Sequence, residues 1–491
     1  TKNNIFLGNS QLSPTQSNVT GHYVTKNGES FYCIENYDAM SDFFISVVSD
    51  SNHWLFISTR GGMTAGRTDC DSALFPYYTE DKIRDNSSHT GSRTVLLVEG
   101  ETRTSLWEPF ARQHDGIYSL SRNLYKSVLG DKLIFEEINH DLELAFTYSW
   151  STTDKYGFVK QSTLANTGNN SRSVDVLDGI ENVLPYGVLA GTQNELSCLV
   201  DAYKKNELIA DAGLGIYAMS SILSDRAEPS EALCATTVWS YGLADAIVLL
   251  SSLQLDDFRL GRALEQELEV LGRRGAYFIN ATMIFEANES RSWGIVADVN
   301  QGPAAVRNRL DDLRSNSSDT LETRISEDVA LGTQHLERLI STADGIQVSE
   351  DTLTTNHHAS NVLFNIMRGG LFDDNYAIEK ADLWAFCRSW NSDVTQRNGA
   401  FFEQLPDTLS HHDLDQFLEG THDLQLKRLC VEYLPMTFSR RHGDPSRPWN
   451  RFAIKVKDEK DAKILNYEGN WRDIFQNWEA LSTSIPCFAQ N

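Results

Sequence analysis

One stretch of this 491-residue chain, Thr437 to Leu481, gathers the side chains best suited to chemistry. Its first half reads TFSRRHGDPSRPWNRF and brings together Arg440, Arg441, His442, Asp444, Arg447 and Trp449. Its second half, NYEGNWRDIFQNWEAL, places Trp471, Arg472, Asp473, Gln476 and Asn477 at an expected helix start. Guanidinium, carboxylate and amide groups bind hydroxyls in planar pairs, and indole faces stack on the apolar side of a pyranose ring. The combination therefore suits a sugar-handling pocket. Structural roles compete with it. Asn470 and Asp473 have nearly the spacing of a capping box. The arginines from 440 to 451 also suit a solvated loop paired with surface acids.

The rest of the chain must position these groups. At this length, two or three domains are expected. Hydrophobic residues make up 41% and charged residues 23%, the balance of an ordinary globular protein. A net charge of −25 argues against nucleic-acid and anionic-membrane partners and suits a neutral substrate. Seven scattered cysteines show no metal-ligand spacing and no disulfide framework, so reduced thiols and a cytoplasmic location are expected. No apolar run is long enough to cross a membrane.

Short runs rich in β-branched and aromatic residues fill residues 1–298, among them FYCIENY, HWLFIST, RTVLLVEG and LELAFTYSW. Gly, Asn, Asp and Ser separate them, which predicts a large antiparallel sandwich. FVKQSTLANTGNNSRSVDVLDGIENV predicts two strands joined by a polar turn. The glycine-rich RGGMTAGR, from Arg60, fits no phosphate-binding fingerprint and predicts a tight turn. Leu208–Met219 and Arg259–Leu271 are expected to be helical. Gly302-Pro303 predicts a helix start, and Leu321, Ile325, Val329, Leu336 and Ile340 recur at helical spacing. Residues 299–345 therefore read as a helical linker. Residues 346–491 read as paired helices: one ending at Gly369-Gly370, one over Tyr376–Trp390, and one or two over His412–Leu434.

That order resembles the cellobiose phosphorylase-like enzymes, glycoside hydrolase family 94 (formerly glycosyltransferase family 36). The local matches are STRGGMTAGR, ALFPYYTEDKI, TLANTG and WRDIFQN. The resemblance implies a multidomain β + α protein: an N-terminal β-supersandwich, a helical linker and the first part of an (α/α)6 barrel. It implies inverting phosphorolysis or transfer at a β-glycosidic bond of a disaccharide or oligosaccharide. Inorganic phosphate would be the co-substrate, with no other cofactor and no metal, and a homodimer is a further expectation. Arg472 and Asp473 would grip hydroxyls at the −1 subsite. Position 477 is Asn where the family pattern carries Asp, so that amide would bind without charge. The general acid and the phosphate ligands would follow Asn491, so the chain reads as the N-terminal portion of a longer enzyme that lacks its acid here. A glycoside hydrolase of the same architecture and a non-catalytic carbohydrate-binding protein are the alternatives.

Overall fold

The computed structural model describes residues 5–12, 18–223, 231–342, 345–368, 371–372, 377–437, 439–441, 453–456, 458 and 464–465. The chain divides into two compact units, Thr1–Thr333 and Gln334–Asn491. The mixed β and α composition expected from sequence is present, with large antiparallel sheets in the first unit and a set of helices in the second.

Three sheets of four or more strands build the first unit, beside the short Phe6–Leu7 and Ser10–Gln11 pair. An eleven-stranded sheet runs from the Thr20–Lys26 edge through Glu29–Glu35, Leu120–Ser127, Leu133–Asn139, Leu144–Thr153 and Gly157–Asn166. It continues through Ser290–Gln301, Ala235–Tyr241, Leu214–Met219 and Lys204–Ile209 to Glu269–Leu271. A five-stranded sheet contains Gly91–Glu99, Arg172–Val183 and Gly275–Phe285, and a four-stranded sheet runs from Phe44–Val47 to Ala73–Phe75. Strict alternation explains the pairing. In Leu144–Thr153, Leu144, Phe146, Tyr148 and Trp150 are buried while the residues between them are half-buried. These aromatics share one hydrophobic cluster with Val176 and Ile279 of the five-stranded sheet and with Leu55 and Ile57 of the four-stranded sheet. Burial of each such side chain stabilises by about 1.5–3 kcal/mol.

A second apolar surface of the large sheet, formed by Tyr156, Trp239, Tyr241 and Val296, is covered by Leu310, Leu321 and Ile325. Those residues come from the helices Pro303–Ser315 and Ser318–Thr342. Helix spacing read from sequence thus identifies a buried stripe, with Leu336 and Ile340 also 1% exposed. Gly302 is the N-cap of the first helix and Pro303 follows at its first position.

Two expectations change. Leu208–Met219 is not a helix: Lys204–Ile209 and Leu214–Met219 are paired strands, with Ile209 opposite Leu214. Gly213 turns the chain at φ +60, and a Cβ on Gly215 would crowd Tyr217 and Tyr277. Arg259–Leu271 is also not a helix. Helix Leu255–Arg259 stops at Gly261 with φ +70, and the chain runs on to the Glu269–Leu271 strand. Its apolar residues Leu255, Phe258 and Leu264 cover the far face of the five-stranded sheet instead. Gly157–Asn166 and Arg172–Val183 are the two strands expected on either side of NTGNNS; they lie in different sheets, so that turn crosses between sheets.

The second unit holds helices Thr352–Arg368, Lys380–Trp390, Ser392–Arg397, Gly399–Gln404, His411–Glu419 and Leu424–Glu432. Side-chain caps place several starts. Asn391 accepts from Val394 N, Asp423 accepts from Gln425 N and Leu426 N, and Ser410 with Asp413 forms a full capping box. Ile378, Leu383, Val394, Phe402, Leu414, Leu426 and Tyr433 share one core.

Candidate functional site

The segment singled out from sequence is entered through two short ladders. Leu371–Phe372 pairs with Met436–Thr437, with Phe372 opposite Met436. Between these strands lies the 378–433 helical bundle with its own core. The chain therefore leaves at 372 and returns at 436 through neighbouring strands. It passes at once into Ser439–Arg441, which pairs with Ala453–Lys455. Arg440 stands opposite Ile454 and Arg441 opposite Ala453. Ser439–Arg441 lies against the Thr352–Arg368 helix, and Ile454 is buried. Beyond it, Ile464 N donates to Val456 O at 3.2 Å. The backbone of Arg440 and Arg441 is thus in a β-ladder at the mouth of the 442–452 connection.

His442, Asp444, Arg447, Trp449, Trp471, Arg472, Asp473, Gln476 and Asn477 lie outside the described residues. Two histidine pairs, His357-His358 and His411-His412, lie on helices of the second unit. His357 is exposed and His358 half-buried on the Thr352–Arg368 helix. His412 is exposed and 3.0 Å from Gln416 Nε2. Burial shifts the His411 imidazole down from its ordinary range, with Asp415 opposing.

The RGGMTAGR segment makes a turn, as its glycines predict. Gly61 has φ +86, and a Cβ on Gly62 would lie 2.0 Å from Ile83 O. Both of its arginines are held by acids. Arg60 Nε donates to Asp42, which also accepts from Arg112 Nη2 at 3.0 Å. Arg67 Nη1 donates to both oxygens of Asp298 at 3.0 and 3.2 Å, and Arg67 Nε donates to Asn52 Oδ1 at 2.8 Å.

Sequence reasoning missed three buried carboxylates in the first unit. Asp178 accepts from Thr94 Oγ1 and Lys160 Nζ at 2.6 Å, and from Ser162 Oγ and Trp293 Nε1 at 2.8 Å. It joins the five-stranded sheet to the eleven-stranded one, and both members of the Lys160–Asp178 pair are fully buried. Glu137 accepts from Trp107 Nε1 and Phe110 N at 2.7 Å and from Arg122 Nε at 2.6 Å. Desolvation holds the Asp298 carboxyl above its ordinary range against the pull of Arg67. Saturated partners mark Asp178 and Glu137 as ties between strands rather than reactive groups. No single-sequence signal distinguishes them, because strand alternation shows only that a polar residue points inward. Among the described residues no group of side chains could hold a metal ion, and no helix is long and apolar enough to cross a membrane.

Comparison with known proteins bears on the helical bundle first. Residues 372–435 match the family model of glycoside hydrolase family 149 insertion domain 1, and the limits of the match coincide with the Leu371–Phe372 and Met436–Thr437 ladder. No curated protein matches the chain. Among solved structures, a bacterial glucoamylase complexed with acarbose is 8% identical with a TM-score of 0.33, over 82% of this chain and 54% of that one. A protein described as a kojibiose phosphorylase from the human microbiome is 7% identical with a TM-score of 0.22, over 70% and 34%. A galactose mutarotase-like protein from Lactobacillus casei is 9% identical with a TM-score of 0.27, over 52% and 100%. TM-scores of this size do not establish a common fold. The chain spans about half of the glucoamylase and a third of the phosphorylase. The insertion-domain match relates residues 372–435 to the glycoside hydrolases and does not single out family 94.

Proposed function

We propose that the full protein is an inverting carbohydrate-active enzyme that cleaves or transfers at a β-glycosidic bond of a disaccharide or oligosaccharide, with inorganic phosphate as the attacking group. One observation carries the reading. A glycoside-hydrolase insertion domain spans 372–435, and the chain passes directly from its stem into the Arg-, Trp- and His-rich segment. The architecture that goes with it is a β-supersandwich, a helical linker and an (α/α)6 barrel.

Arg472 and Asp473 bind hydroxyls of the sugar whose anomeric carbon reacts. Gln476, three residues on in the sequence, extends that grip, with Asn477 after it. Trp471 or Trp449 stacks on a ring. Arg440, Arg441, His442, Asp444 and Arg447 bind hydroxyls or phosphate, since a guanidinium cluster holds an anion in an acidic protein. A carboxylic acid protonates the leaving oxygen while phosphate attacks from the opposite face through an oxocarbenium-like state. The protein acts in the cytoplasm, as a homodimer.

Incubation of the full-length protein with β-linked oligosaccharides, with and without phosphate, tests the reaction. Phosphate-dependent release of a sugar 1-phosphate is expected. Release of free sugar alone, indifferent to phosphate, sinks phosphorolysis and favours the hydrolase reading. Arg472→Ala and Asp473→Asn are each expected to lower kcat/KM by at least about 100-fold, the scale of a lost transition-state contact of roughly 2.7 kcal/mol. Activity surviving both changes puts the sugar elsewhere.

A further inference from the structure

The chain contains two Asn-Gly steps, Asn27-Gly28 and Asn398-Gly399, and the fold holds them very differently. Asn27 and Gly28 form the whole turn between strands Thr20–Lys26 and Glu29–Glu35, with Lys26 paired opposite Glu29. Both lie at positive φ, +51 and +83, as a tight hairpin turn of the right twist requires. Both are exposed, and apart from the chain neighbours nothing lies within 4 Å of where a Cβ on Gly28 would stand. The strand leading into the turn is the outer edge of the eleven-stranded sheet, paired on one side only among the described residues. Asn398 is held instead. Its Nδ2 donates to Val394 O and to Asp423 Oδ2, each at 2.8 Å, and its backbone N–H donates to Val394 O at 3.1 Å. Its carbonyl accepts from Phe401 N at 3.0 Å where helix Gly399–Gln404 begins.

We propose that Asn27 is a modification site, deamidated spontaneously to aspartate and isoaspartate, while the fold spares Asn398. The reaction needs only water. A base takes the proton of the Gly28 amide, and its nitrogen attacks Cγ of Asn27. The new C–N bond closes a five-membered succinimide, and the side-chain nitrogen leaves as ammonia with a proton from solvent. Water then opens the ring at either carbonyl, so one asparagine and one water become one aspartyl residue and one ammonia. Opening at the main-chain carbonyl routes the backbone through Cγ, which is isoaspartate. Glycine permits the attack because no side chain shields its nitrogen. Ring closure reshapes the turn, so it waits on a local opening, which costs least at an edge hairpin with few contacts. At Asn398 the same closure must first break both hydrogen bonds of the leaving amide. The product acts on the sheet. Isoaspartate adds one carbon to the backbone of the turn, so Lys26 no longer meets Glu29. The edge strand, whose Val24 packs on Phe31, Cys33 and Tyr125, then loosens.

The test incubates the whole chain in mildly alkaline and mildly acidic buffer, folded and in urea, and maps peptides by mass over time. Isoaspartate is read by its methylation with an isoaspartyl methyltransferase. In the folded protein Asn27 should convert at least several-fold faster than Asn398, and faster in the alkaline buffer, because the Gly28 amide must lose its proton. In urea the two steps should convert at similar rates, which assigns the difference to the fold. Asn27→Gln should abolish the product, since its larger ring closes far more slowly. Should that variant fail to fold, the wild-type map alone decides. Amides of Thr20–Lys26 should exchange hydrogen at least several-fold faster in the isoaspartate form. An intact Asn27 in folded protein that converts in urea overturns the proposal, as does equal or faster conversion at Asn398. A difference in urea as large as in the folded protein overturns the structural account of the selectivity, and unchanged exchange overturns the loosening of the edge.

Discussion

Asp178 shows what a single buried group contributes. It receives four donors, one of them the ammonium of a lysine that is equally buried. Desolvation pulls that lysine's pKa down while Asp178 pulls it up, and the downward effect prevails. Removing one member of such a pair leaves the other uncompensated, which costs about 3–5 kcal/mol. Asp178→Ala should therefore lower the unfolding free energy by that amount in urea titrations followed by tryptophan fluorescence. An unchanged midpoint would show that the pair does not hold the sheets. Neither Asp178 nor Lys160 stands out in the sequence, since DVLDGIENV reads as one more strand. Arg472 and Asp473, in contrast, stand out by residue type alone. A residue type draws attention in a sequence by itself, whereas a buried carboxylate is known only by its partners.

At the scale of elements, periodicity identified the linker helices and most strands because one face of each is buried. It failed where glycine decided. Leu208, Ile209, Leu214, Ile216 and Tyr217 have helix-like spacing, but left-handed Gly213 and the close approach at Gly215 make that stretch a hairpin. The short helices Ser392–Arg397 and Gly399–Gln404 carry too few turns to show a period, and only the Asn391 cap announces the first. Three helices of the second unit have hydrogen-bonded acids at their caps or in their first turns. Asp351 accepts from Thr354, Asp413 from Ser410, and Asp423 from Arg397 and Asn398, and these hydrogen bonds hold all three carboxyls below their ordinary range. In the folded state each group binds its proton more weakly than in the unfolded chain. The stabilisation is thus complete above the unfolded value near about pH 4 and is lost as pH falls through the lowered folded values. Thermal melts followed by helical circular dichroism should show the loss in that acid window. Asp423→Asn should make the melting temperature less dependent on pH there, and an unchanged slope would remove Asp423 from the account.

For the molecule as a whole, the helices from Pro303 to Ile325 belong with the β-structure. They cover Tyr156, Trp239, Tyr241 and Val296, which would otherwise form a contiguous exposed aromatic patch. A chain ending at Gly302 should therefore aggregate, while one ending at Thr333 should stay soluble and unfold cooperatively. Size-exclusion chromatography separates the outcomes, and a monodisperse shorter chain would show that the helices are dispensable. A linker drawn from sequence between residues 299 and 345 is thus partly wall of the first unit, because apolar spacing says that a stripe is buried but not against what.

The stem at Leu371–Phe372 and Met436–Thr437 has a different implication. Phe372 and Met436 are paired neighbours, so the whole 377–435 bundle hangs from two adjacent points of the backbone. Anything so attached can be lost, exchanged or enlarged without changing the path of the chain on either side. A two-residue hairpin turn is enough to rejoin the strands. The bundle is then a cassette: lineages can trade it as a unit, while the segment that begins at Ser439 keeps its place in the chain.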